Sequence, residues 1–212
     1  MMKRWLSFQY VREIVMVIAV MAVISYVLHV FLGTLAYPGY DALSQPVSDL
    51  TASGAPSESV ARLYSNLYGI LTSVVSLILL FQLKKVKHIG IRIGILLISI
   101  MYLVSAIGYG LFPLDENSSQ MSFQNMMHIV VTIAVVLLTI TSLIVFMIAF
   151  IKLKYRGFFL VTCLTFILMM SGAILTGVVN EAYLGLFERF SVFSAVLFHL
   201  MVPYLFLKHH EI

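Results

Sequence analysis

A chain that is 61% hydrophobic and only 10% charged leaves few side chains able to do chemistry. Asp49 sits beside Ser48 in the polar stretch ALSQPVSDLTASGAP, residues 42–56. Arg62 and Asn66 follow at the start of an apolar run, Asp115 comes just after GLFP, and His128 opens a further run. Asn180, Glu188 and Arg189 flank the link before the last run, while His29 and His199 lie deep inside the first and last.

These residue types support several kinds of chemistry. Arg62 and Arg189 can each form a bidentate pair with a carboxylate, and such pairs would pin polar links onto helix ends. The same groups, converging under those links, would form a binding site for the polar end of a ligand. His128 with Asp115 or Asp49 is the candidate acid–base combination, and Ser48 would add a nucleophile if a base stood within hydrogen-bond reach. No GxSxG elbow marks Ser48. A metal would need His128, Asp49, Asp115 and Glu188 to converge; no HxxxH or HExxH pair is present, so neither a metal nor another cofactor is expected. At 1.5 Å per helical residue, His29 and His199 fall about 12 and about 16 Å below the nearer boundary of their runs. Each is predicted to bond a hydroxyl across a helix interface, with a proton relay or paired haem ligation as alternatives.

Membrane spans must position these groups. A mean hydropathy of +1.05 lies far outside the range of soluble domains. Six runs are long enough to cross a bilayer core of about 30 Å as helices: residues 14–37, 61–83, 89–112, 127–151, 157–180 and 188–207. The predicted fold class is an all-α integral membrane protein, a six-transmembrane-helix bundle forming one domain over residues 1–212. The first run is too long for a signal-peptide core and is read as an uncleaved helix. No helix is expected to be broken, apart from disruption at Pro203.

The net charge of +4 is placed for a membrane rather than for nucleic acid. Lys3, Arg4, Arg12, Lys84, Lys85, Lys87, Arg92, Lys152, Lys154, Arg156 and Lys208 all fall on one side of the bundle, leaving Arg62 and Arg189 opposite. Seven of the nine acids, Asp41, Asp49, Glu58, Asp115, Glu116, Glu181 and Glu188, share that opposite side. Both termini are therefore expected in the cytoplasm, and the long polar links outside the cell membrane.

Helices gain no hydrophobic drive to associate in lipid, so small and polar residues tend to mark their packed faces. By spacing, Ala22, Ser25, His29, Gly33 and Ala36 form such a stripe on the first helix. Ser59, Arg62, Asn66, Gly69, Ser73 and Ser76 form one on the second, and Ala173, Gly177 and Asn180 one on the fifth.

GYGLFPLD closing the third run, a histidine opening the fourth and GLFERF opening the sixth resemble the bacterial membrane family catalogued as domain of unknown function 998 (DUF998). Gly110, Phe112, Pro113, Asp115, His128, Gly185, Glu188 and Arg189 carry this resemblance, which spans nearly the whole chain. The loop PVSDLTASGAP also resembles the Ser-Asp-x-Gly loop of the Frag1/DRAM/Sfk1 membrane proteins, which are linked to lipid handling; here Leu50 and Thr51 follow Asp49. The first resemblance implies a multi-pass protein of a bacterial cytoplasmic membrane but assigns no reaction.

The function expected from the residues is binding or passage of a lipid or small amphipathic molecule at the extracytoplasmic polar cluster. The ligand-binding candidates are Asp49, Arg62, Asn66, Asp115, His128, Asn180, Glu188, Arg189, His29 and His199. The implied partners are membrane lipids and such a ligand, with no nucleic acid. One alternative is an enzyme on lipid-linked substrates, with His128, Asp115 and Asp49 as catalytic candidates. The other is a structural membrane partner without a ligand, in which the polar groups are fully bonded to one another.

Overall fold

The six runs form helices in a computed structural model, which describes residues 2–115, 117–119 and 122–208; Glu116 lies outside the described residues. The helices are α1 Met2–Ala36, α2 Glu58–Gln82, α3 Ile89–Leu111, α4 Phe123–Lys152 and α5 Arg156–Leu175, with α6 Leu184–Phe198 and α7 Met201–Lys208 sharing the sixth run. All six segments are long and apolar enough to cross a membrane. Consecutive helices lie side by side, and α7 returns to pack on α1. One face of the bundle carries the links 37–57, 112–122 and 176–183 and is called the loop face. The other, the basic face, carries only the short turns 83–88 and 153–155.

Aromatic side chains hold the half of the bundle nearer the basic face. Phe146 stacks on Phe150 at 5.6 Å between centroids and meets Phe198 edge-on at 6.0 Å, while Phe150 stacks on Phe158. Ile91, Ile95 and Ile98 on α3 complete this core, fully buried at consecutive helical turns.

The predicted stripes fare unequally. On α1, Ala22, Ser25, His29 and Gly33 are all buried. On α2 the buried face is Ala61, Thr72, Val75, Ser76 and Leu79, so Ser59 and Asn66 are exposed on the flank. The period was right, but the face lies about a quarter-turn away, because one residue advances a helix by about 100°. On α5, Gly172 packs against Ser191 and the carbonyl of Phe187 on α6, and Ala173, Gly177 and Asn180 are exposed. That helix ends at Leu175, five residues before the predicted boundary.

The sixth run is disrupted, as expected from Pro203, but at an earlier position. It is broken at His199 and Leu200, where the backbone tightens into bonds from the His199 and Leu200 N–H groups to the carbonyls of Val196 and Leu197. Pro203 accounts for this. It has no N–H to give the carbonyl of His199, and its ring crowds that same carbonyl, so the disruption falls four residues before the proline.

Candidate functional site

The first turn of α6 grips the link 37–57. Backbone N–H groups of Gly185 and Leu186 donate to the carbonyls of Ser44 and Leu43, so the link caps the helix start. Arg189 Nη1 lies 2.7, 3.0 and 2.8 Å from the carbonyl oxygens of Ala42, Gln45 and Gly185, and Nη2 donates to the Tyr40 hydroxyl at 2.7 Å. Glu188 does the converse. Its carboxylate accepts from the backbone N–H of Val47 at 2.5 Å and from that of Ser48, at the start of a short 3-10 turn, Val47–Thr51. Gly185 permits the approach, because a Cβ there would collide with the carbonyl oxygens of Gln45 and Ala42. Asp49 lies near enough to Glu188 and Tyr40 to act electrostatically on both.

Tyr40 brings a titratable phenol to this grip. Its hydroxyl faces the carbonyl of Pro46 at 2.7 Å, and burial pushes the phenol from its ordinary 10 up to about 12, against the opposing pull of Arg189. A group whose folded pKa is raised contributes stability that is present below its unfolded value and lost as pH rises through the folded one. Stability should therefore fall between pH 10 and about 12, and Tyr40→Phe should remove that component of an alkaline unfolding titration. At the exposed end of the same link, Asp41 is held below its usual range, first by the Ser44 hydroxyl and then by the Leu43 N–H.

Arg62 anchors the other end of the link. It donates from Nε to the Thr51 carbonyl at 2.9 Å and from Nη2 to Ser53 Oγ at 2.8 Å, and it pairs with Glu58 one turn back at 2.9 Å. Both arginines thus pin the link chiefly through carbonyls and hydroxyls rather than through the carboxylates expected from sequence. The link's carbonyls lack helical partners, and a planar guanidinium carries five donors to satisfy them.

The second link is stitched to the first and to α4. Ser53 N–H donates to the Leu114 carbonyl at 2.7 Å, and Ser53 and Asp115 form an isolated parallel bridge. Gly54, at φ +91°, turns the chain where a side chain would strike Asn117. Asn125, 4% exposed, acts as a backbone surrogate, donating to the carbonyls of Asp115 and Ser119 and accepting from the Asp115 N–H. Asn125→Ala should cost about 2 kcal/mol, since buried backbone groups lose their partners, and a denaturant titration of the purified protein checks this. His128 Nδ1 bonds the Phe112 carbonyl at 2.8 Å, and the Asp115 carboxylate accepts from the Asn117 N–H. Among the described residues no hydrogen bond joins Ser48, His128 and Asp115, and no three His, Cys, Asp or Glu side chains gather to hold a metal. Asn180 caps the turn Glu181–Tyr183 through the Ala182 N–H and is exposed, away from these contacts; Asn66 stays on the exposed flank of α2.

A family model described as "Protein of unknown function (DUF998)" matches residues 18–203. The chain belongs to the DUF998 family. No match was found among curated proteins or among solved structures.

Beneath the link 37–57 of this DUF998 protein the polar groups are in a different condition. Val47 and Leu50 of the link are buried with Ala61 of α2 in a cluster that takes in Tyr26 and Val30 of α1 with Tyr37 and Tyr40, and a Cβ added at Gly33 of α1 would come within 3.3 Å of Leu50. One turn deeper, His29 is 3% exposed, and among the described residues neither ring nitrogen has a hydrogen-bond partner. The predicted hydroxyl partner is missing; Ser25, one turn away on the same helix, donates to the Tyr64 carbonyl. One aromatic ring, Tyr26, meets His29 edge-on and is itself the centre of an aromatic cluster. Tyr26 meets His29 at 5.1 Å, Tyr68 at 4.9 Å and Phe193 at 5.9 Å between centroids. His199, at the break in the sixth span, is also 3% exposed with Nε2 unpartnered, and the Tyr102 ring meets it edge-on at 4.5 Å.

Proposed function

We propose that this membrane protein binds or passes a lipid or small amphipathic molecule, taken up beneath a lid formed by the link 37–57. The ligand's polar end bonds His29, and its apolar part lies among Tyr26, Tyr68 and Phe193. The observation that carries this is the buried imidazole with two unpartnered nitrogens. A polar group buried without a partner costs about 1–3 kcal/mol, and an ionisable side chain at membrane depth is a functional candidate by default. The break in the sixth span supports passage, since irregular backbone at such depth is typical of spans that line a pathway. The charge distribution supports a loop face turned away from the cytoplasm, in a bacterial cytoplasmic membrane.

Monoolein and oleate, one neutral and one anionic, are suitable probes. The protein released from detergent in a mass spectrometer should retain one of them in a defined stoichiometry, and His29→Leu should lose it. Retention unchanged in that variant, or no retention of either probe, would sink the assignment.

A further inference from the structure

A cleft of about 620 Å³ opens sideways between α1 and α5, with the broken sixth span as its floor. Its deep part is hydrocarbon: Met16 on one wall, Val161 on the other, and Leu197, Leu200 and Met201 where α6 gives way to α7. Its mouth lies at the basic face, where Tyr155 and Arg156 begin α5. The volume is that of an ordinary small-molecule site, and the exposed walls at Val161, Leu197 and Tyr204 belong to membrane-spanning segments.

Charge selects the occupant. Arg156 is exposed and shares its turn with Lys152 and Lys154, and no acid occurs anywhere from residue 117 to 180. Among the described residues none of these three cations has a hydrogen bond or ion pair through its side chain. The first turn of α5 also lacks a side-chain cap at Tyr155, and nothing stands within 4 Å of the position a Cβ would take at Gly157. We infer that the cleft holds an anionic phospholipid, its phosphate at Arg156 and one acyl chain running inward along Val161 and Leu197.

Chain-matched phosphatidylglycerol and phosphatidylcholine, presented separately to the detergent-purified protein, test this by the fraction retained in the mass spectrometer. Phosphatidylglycerol should be favoured about fivefold for each cation it meets, and Arg156→Gln should remove about that factor while leaving phosphatidylcholine unchanged. Val161→Trp, which fills the cleft and leaves the charges in place, should displace both lipids. Thermal melts at wild-type midpoints confirm that both variants fold. Equal retention of the two lipids by the wild-type protein would overturn the proposal. So would a dimer signal that Val161→Trp abolishes, since a second copy would then be the occupant. His29→Leu leaves this preference intact, so the lid site and the cleft fail or stand separately.

Discussion

Arg189→Ala lowers the stability of the protein by about 3–4 kcal/mol, the largest loss expected from any single side chain on the loop face. The figure follows from what the guanidinium satisfies. The carbonyls of Ala42 and Gln45 and the Tyr40 hydroxyl all take their bonds from it, and hydrogen bonds to a charged donor are worth about 1.5–3 kcal/mol each before relaxation. Removal also leaves the adjacent Glu188 carboxylate half-buried with a neighbouring cation gone. Arg189→Lys should restore less than half, because an ammonium cannot span three acceptors in one plane. Arg62→Ala is the contrast. Its pair with Glu58 is about one-third exposed on both sides, so water replaces much of what is lost and the cost should be about 1 kcal/mol. Denaturant titration gives the ranking, and limited proteolysis within residues 41–46 reports whether the lid has come free. Equal losses for the two arginines would show that the lid is held by its apolar seat at Val47 and Leu50 instead.

This asymmetry separates sealing from binding. On the loop face nearly every candidate polar group is spent on backbone: Glu188 on two N–H groups, Arg189 on carbonyls, Asn125 on both ends of the Asp115 peptide and His128 on Phe112. Groups so occupied hold helix ends and links together. Those with bonding capacity to spare lie deeper, at His29 and His199.

The spans were legible in the sequence because twenty-odd apolar residues in a row admit few other structures. Glu188 and Arg189 could be picked out because charge at a span's edge is costly unless used. The grip itself was not legible. It joins residues 40–48 to 185–189, and a link's carbonyls leave no trace in side-chain composition. Asn125 and Tyr40 were missed for that reason, although Ser122 three residues before Asn125 is a readable helix cap. The offset on α2 has another cause. Small residues at steps of three and four mark close approach, as Gly69 does against Ala106, but the bulk of the interior is filled from the next face over. The break at His199 was displaced from Pro203 because a proline acts on the carbonyl one turn before it.

His29→Leu should stabilise the empty protein while removing its ligand. Leucine fills nearly the same space without polar atoms, so the cost of two unbonded ring nitrogens, about 1–3 kcal/mol, is recovered in part. Tyr26 meets the His29 ring edge-on and is backed by Tyr68 and Phe193, a setting that suits an apolar side chain at least as well as an imidazole. A residue that served only packing would show the reverse sign, since replacing it would loosen well-fitted neighbours. A raised melting midpoint together with lost retention of monoolein or oleate is therefore the signature of a site kept at the expense of stability. A lowered midpoint with retention unchanged would mark His29 as packing, and the lid above it as a seal over a closed bundle.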